Sequence, residues 1–195
     1  MSSKKIRFTS GATESNSWLL SHYARQGTIL TSPIEHPSVL EWSNEQVPVL
    51  SSGVLDLEAL KKRLDRRDVG LLSVMAANNE NGVLQPVQQI ADICRFYSVP
   101  YHCDASQVFG KIKMRIEADF ITLSAHKFSG PKGIGVLALQ HEVPPMLRGG
   151  PQERGSRAGT VNVPAVIATG VAAESCEIMD NTEQLRLEEA LKLIG

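Results

Sequence analysis

Cysteine is scarce in this sequence. The 195 residues contain three, Cys94, Cys103 and Cys176. An odd number without metal-ligand spacing excludes a disulfide scaffold or a zinc module and reads as reduced structural thiols. A carboxylate beside Cys103 discourages a thiolate there. Charge of one sign is also missing. Twenty basic residues offset twenty-one acidic ones, leaving a formal net charge of −1, which argues against nucleic acid or an anionic membrane surface as a main partner. No apolar run approaches the ~20 residues of a membrane span, and the start, Met1 to Phe8, has no secretory apolar core, so a cytoplasmic protein is expected. Internal repeats and low-complexity tracts are lacking too.

What remains is ordinary globular composition, 42% apolar and 21% charged. A chain this long buries roughly 70% of its unfolded surface without staples. Short apolar runs alternate with helical patterns. Thr28–Thr31, Val47–Leu50, Val69–Met75, Pro100–Cys103, Phe120–Ser124 and Gly135–Leu139 read as strands. Glu14–Arg25, Leu57–Leu64, Val87–Tyr97, Val163–Ile178 and Glu183–Ile194 read as helices, the second capped by Asp56. This alternation predicts an α/β fold, a mostly parallel mixed sheet flanked by helices. Ligands in such sheets gather at the carboxyl ends of strands, and the polar clusters here follow predicted strands. The stretch from Gln140 to Ala158, rich in proline, glycine and charge, reads as a functional loop.

The most informative stretch is Ser124-Ala125-His126-Lys127-Phe128-Ser129-Gly130-Pro131-Lys132-Gly133. It sets a lysine between two strands among residues that let backbone approach closely. In a partly desolvated pocket such a lysine becomes an amine nucleophile; on a surface turn it is simply solvated. Thr9 to Asn16, small and hydroxyl-bearing before a helix, suits an anion at a helix N-terminus, or merely a well-capped helix. Asp104 ends a predicted buried strand, where a carboxylate needs a cationic partner, and a protonated pyridine nitrogen is one candidate. Asn79 and Gln107 offer neutral donors for a phenolate, and His36 an imbedding imidazole for a flat ring. Each alone is also compatible with a satisfied polar turn. Together they meet the requirements of pyridoxal 5′-phosphate.

Six stretches carry a resemblance: FTSGATESN at 8–16, EHPSVLE at 35–41, NNENGVLQP at 78–86, HCDASQVFGK at 102–111, SAHKFSGPKGIGVL at 124–137 and GGPQERGSRAGTVN at 149–162. In this order they resemble the cysteine desulfurases of the class V aminotransferases, fold-type I pyridoxal phosphate enzymes, and particularly the iron–sulfur cluster assembly branch. The resemblance implies the three-layer large domain of that fold. It implies Lys127 as the Schiff-base lysine, Asp104 at the pyridine nitrogen, Asn79 and Gln107 near the ring hydroxyl, and His36 stacked on the ring. Ala12, Thr13, Ser124 and His126 would hold the phosphate, with Thr160 reaching the phosphate of a neighbouring subunit in a homodimer. Lys127 and His36 would be the catalytic pair, L-cysteine the substrate, and a sulfur-acceptor or scaffold protein a possible partner. The family's chain is roughly twice as long, with the acceptor cysteine and the substrate-gripping arginine in a small C-terminal domain without counterpart here. Pro151 and Ala158 replace the usual glycine and serine. The expected organisation is thus a partial cofactor-binding large domain over 1–178 and the start of a helix towards a small domain over 179–195, incomplete for desulfuration. Another class V aminotransferase or lyase reaction, or a non-catalytic truncated subunit, stands as the alternative.

Overall fold

The computed structural model describes residues 5–176. The predicted helix Glu183–Ile194 and the segment 179–195 lie outside the described residues. Seven strands form one sheet: β1 (Ile6–Thr9), β2 (Thr28–Thr31), β3 (Glu45–Gln46), β4 (Val69–Ser73), β5 (Tyr101–Asp104), β6 (Phe120–Ser124) and β7 (Gly135–Leu139). Their spatial order is β1-β7-β6-β5-β4-β2-β3. From β6 to β3 every pairing is parallel, whereas β7 runs antiparallel to both β6 and β1. Among the described residues five α-helices accompany it: α1 (Ala12–Tyr23), α2 (Pro37–Leu40), α3 (Leu57–Leu64), α4 (Val87–Tyr97) and α5 (Val163–Glu174), the last ending short of the expected Ile178, which lies outside the described residues.

Alternation along the strands explains the layers, because successive side chains point to opposite faces. Leu71 of β4 packs with Trp18, Leu19 and Leu20 of α1, Ile29, Phe120 and Leu137. Its neighbour Leu72 faces the other way, into a core with Leu60 and Leu64 of α3 and Ile90 and Cys94 of α4. The fold is therefore the expected α/β arrangement of helices on both faces of a mostly parallel mixed sheet. Asp56 caps α3 as predicted, accepting from the backbone N–H groups of Glu58 and Ala59 at 3.0 Å each.

Three details differ from the sequence reading. The strand expected at Val47–Leu50 forms instead at Glu45–Gln46. At this sheet edge the polar pair bonds to β2, while Pro48 lacks the N–H to extend the ladder. Helix α1 begins at Ala12 rather than Glu14, since Gly11 serves as its N-cap. Strand β1 had no counterpart in the reading, because Arg7 interrupts its apolar run. The structure buries Arg7 and satisfies it with Glu142 at 2.8 Å and with Ser156.

The Gln140–Ala158 loop closes over this edge of the sheet. Glu153 accepts from the Phe8 backbone N–H at 2.9 Å. Arg157 reaches Glu14 in the first turn of α1 at 2.8 Å. Burial would raise the Glu14 carboxyl, but the bonds from Arg157 and Ser10 outweigh it and hold the carboxyl below its usual range.

Candidate active site

The reversal of β7 brings several chain ends to one edge of the sheet. The carboxyl ends of β1, β2, β4, β5 and β6 meet there with the start of β7. They surround a cavity of about 440 Å³. Nine of the ten sequence-predicted site residues line it: Ala12, Thr13, His36, Asn79, Asp104, Gln107, Ser124, His126 and Lys127. Thr160 lies apart, on a smaller hollow of about 200 Å³ that shares Ser10, Gly133 and Ile134 with the main cavity.

One wall is the N-terminus of α1. Gly11 offers no side-chain cap, so the first-turn N–H groups are left for an external anion, which the helix dipole also favours. The close seat of this turn depends on Gly135. A Cβ there would lie 2.3 Å from the Gly11 carbonyl carbon, a contact no side chain could make without parting helix and strand. Lys132 faces the same cavity.

The second wall holds Asp104, at the last position of β5. Its Oδ1 accepts from the Ser106 backbone N–H at 3.0 Å, and its Oδ2 from the Asn16 carboxamide at 3.1 Å. No cationic side chain pairs with this buried carboxylate among the described residues. The Ser106 hydroxyl and the Asn16 carboxamide oxygen are buried without a partner. Behind the wall, burial drives His102 down to about 4, although the charge of Asp104 opposes this. Its ring nitrogens meet Ser73 at 2.8 Å and Thr122 at 3.0 Å.

His36 occupies the N-cap of the short helix α2. Its Nδ1 accepts from the Ser38 backbone N–H at 3.1 Å and meets the Ser38 hydroxyl at 2.8 Å. In the neutral ring the proton is therefore assigned to Nε2, the nitrogen left free for a ligand. The preceding Glu35 points inward. It accepts from Met75 N–H at 3.0 Å and from the Ser32 hydroxyl. Burial pushes its carboxyl up to about 8, with the charge of Asp104 adding to the effect. Asn78 donates to the Ile34 carbonyl at 2.7 Å, so the loops bearing His36 and Asn79 are tied twice.

Lys127 sits in a 3-10 turn, Ala125–Phe128, directly after β6. Of the two settings the sequence leaves open for this amine, the structure has the exposed one: its side chain is exposed beside the cavity, as is that of His126. The Ser124 hydroxyl and His126 Nδ1 lie 3.0 Å apart. Lys111, one turn beyond Gln107, has its amine lowered by burial and by the charge of Lys127, so two lysines converge on this side. The cysteines do not. Cys94 and Cys103 are buried; burial pushes the Cys94 thiol up to about 12 and raises that of Cys103 as well.

The sequence reading assigned no role to Asn16, Glu35, Ser38, Ser106, Lys111 or Lys132. Asn16 left one usable sign. It falls on the same face of α1 as Leu19, Leu20 and Tyr23, where a polar residue needs a buried partner.

Comparison with known proteins agrees with this geometry. The chain is 42% identical over 193 residues to the cysteine desulfurase IscS of Rickettsia typhi, covering 88% of this chain and 47% of the relative. It is 38% identical to the mitosomal cysteine desulfurase of Trachipleistophora hominis, covering 89% of this chain and 44% of that one. Among solved structures, a NifS-like protein superposes with a TM-score of 0.83 at 41% identity, covering 89% of this chain and 53% of the other. SspA in complex with cysteine superposes with a TM-score of 0.85 at 30% identity, covering 97% and 60% respectively. The chain thus spans about half the length of the curated relatives it matches, and its sheet and helices are those of the NifS and IscS structures, the fold-type I architecture. Residues 1–193 match the aminotransferase class-V family from end to end, and the chain belongs to that family.

Proposed function

We propose that the chain binds pyridoxal 5′-phosphate and serves a cysteine desulfurase reaction, in which L-cysteine yields alanine and its sulfur passes to an acceptor thiol. One observation carries this reading: Lys127, Asp104, His36 and the uncapped end of α1 line one cavity. The residues fit the cofactor. An uncapped helix end suits a phosphate. A buried carboxylate lacking a cation among the described residues suits a protonated pyridine nitrogen. The orphaned Ser106 hydroxyl and Asn16 oxygen lie beside that same carboxylate.

When bound, the cofactor supplies an electron sink for breaking bonds at the substrate's α-carbon. Asp104 holds negative charge against the ring nitrogen, and Ser106 and Asn16 fix the carboxylate's orientation. Asn79 and Gln107 would bond the ring hydroxyl. His36 would stack on a ring face, with Nε2 turned to the ligand as one acid–base group. Lys127 would supply the amine that holds the cofactor, and its Nζ would serve as the second acid–base group. Positioned acid–base groups of this kind each contribute about 10²–10⁴ in rate. Ala12, Thr13, Ser124 and His126 would hold the phosphate of the same subunit, and Thr160 that of a partner subunit in a homodimer. Neither Cys94 nor Cys103 is the sulfur acceptor, because both thiols are buried and raised. The sulfur passes to another thiol, in the service of iron–sulfur cluster assembly.

Addition of the cofactor to the purified chain should give a visible absorption band that Lys127→Ala abolishes. A folded chain that develops no such band would refute cofactor binding. Cysteine added to the loaded protein should then yield alanine; formation of a keto acid instead would reassign the reaction to transamination.

A further inference from the structure

The carboxylate and the imidazole that face the cavity are not independent. Asn16 of α1 is wholly buried, and its Nδ2 donates twice, to Asp104 Oδ2 at 3.1 Å and to Ser38 Oγ at 2.9 Å. Ser38 Oγ in turn lies 2.8 Å from His36 Nδ1. We propose that Asn16 is a positioning residue, which joins Asp104 to His36 through Ser38 and sets both against the cavity as one unit. The proposal deepens the cofactor reading above and rests on it for its purpose.

The directions of the hydrogen bonds follow from the chemistry of the groups. A carboxylate only accepts, so the nitrogen of the Asn16 amide must face Asp104, which fixes the amide's orientation. Its second hydrogen then fills an acceptor site on the Ser38 hydroxyl. The Ser38 hydroxyl lies nearer His36 Nδ1, at 2.8 Å, than the Ser38 backbone N–H does, at 3.1 Å. With an acceptor site filled by Asn16, the hydroxyl turns its hydrogen towards Nδ1. These two donors together leave that nitrogen unprotonated, the hydroxyl supplying the closer bond. Donation therefore runs outward from Asn16, to Asp104 on one side and through Ser38 to His36 on the other. The imidazole keeps its proton on Nε2 for as long as this chain is intact. The remaining Asn16 oxygen has no partner. A buried, unpaired carbonyl is unfavourable, so packing alone would be better served by a leucine of similar size. What the asparagine adds is its two donors.

The tautomer of His36 tests this without any cofactor. Nitrogen-15 NMR of the wild-type chain should show His36 predominantly protonated at Nε2. In Asn16→Leu the Ser38 hydroxyl is free to accept from Nδ1, and the Nδ1–H share should rise several-fold. Ser38→Ala, at a partly exposed turn, should also raise that share, and it keeps the test decisive if Asn16→Leu does not fold. The double variant should do no more than the larger single change, since both break one chain. An unchanged tautomer ratio, or strictly additive effects, would overturn the proposal. In cofactor titrations, Asn16→Leu should weaken binding about tenfold, equivalent to ~1.4 kcal/mol, and Ser38→Ala should weaken it less because Asp104 stays oriented. Equal affinities for Asn16→Leu and wild type would also overturn it. The two readings fail separately. A responsive tautomer in a protein that binds no cofactor would sink the proposed function alone, whereas a bound cofactor with an indifferent tautomer would sink the bridge alone.

Discussion

The cavity has two kinds of wall. Asp104 and Ser124 on the lining, and Asn16 and Glu35 behind it, are buried and joined to neighbours by hydrogen bonds. Thr13, His36, Asn79, His126 and Lys127 are exposed, with His36 and His126 each tethered through one ring nitrogen. The first group is set by folding; the second faces the open cavity, within reach of a ligand. Orientation and reactivity are thus assigned to different residues, and substitutions on the two walls should separate stability from binding.

The largest effect on folding is expected where helix and sheet meet behind the buried wall. Gly135→Val would drive a side chain into the Gly11 backbone, and overpacking of this kind costs roughly 1–3 kcal/mol, or more where backbone must move. Thermal unfolding should show a large loss; a wild-type midpoint would mean that α1 is not seated as described. Next comes Asp104→Ala. Losing a charge-assisted partner, worth about 1.5–3 kcal/mol, should weaken cofactor binding by roughly 10- to 100-fold. Lys127→Ala, by contrast, should leave folding stability within about 0.5 kcal/mol, as exposed substitutions do. A strongly destabilised Lys127→Ala would erase the distinction between the walls.

A subtler test uses pH. Glu35, raised to about 8 in the fold, is protonated there while the unfolded carboxyl is ionised. The native state then binds more protons, so stability falls as pH rises from the unfolded carboxyl range through about 8. His102, lowered to about 4, has the opposite sign: its contribution to stability rises with pH up to the ordinary histidine range and is flat above it. Above that range the Glu35 decline stands alone. Denaturation between neutral pH and about 8 should show it, and Glu35→Gln should flatten it; an equally steep decline in the variant would assign the titration elsewhere. The smallest effect lies far from the site. Asp56→Ala removes the α3 cap and should cost about 1 kcal/mol with no change in cofactor affinity.

These walls also differed in how much of them could be read from sequence. The residues facing the cavity stood out, because a polar residue after an apolar run signals a strand end, and His36, Asn79, Asp104, Gln107 and Lys127 all follow that pattern. Periodicity likewise fixed α3, α4, β2, β6 and β7 at their observed bounds. The buried connections were not legible. Asn16 and Asp104 are 88 positions apart, and no local pattern announces that an amide on one helix will face a carboxylate on a distant strand. Arg7 hid β1 for the same reason: a buried cation becomes sensible only once Glu142 and Ser156 are brought beside it. Whether Lys127 is desolvated or exposed stayed open in the sequence, because desolvation depends on how the walls stand apart, which sequence spacing does not give.

The reversed direction of β7 has a consequence for the order in which the cavity can assemble. Strands β6 and β7 are neighbours in sequence, so the turn that carries Lys127 closes with a short chain segment and a small loss of entropy. Asp104 and the start of α1 must instead find each other across most of the fold, and such distant pairings form slowly. The nucleophile's platform is therefore a local hairpin that can stand early, whereas the phosphate seat and the acid that steers the ring come together only when the sheet is complete. A half-folded chain would present its amine without the groups that discipline it.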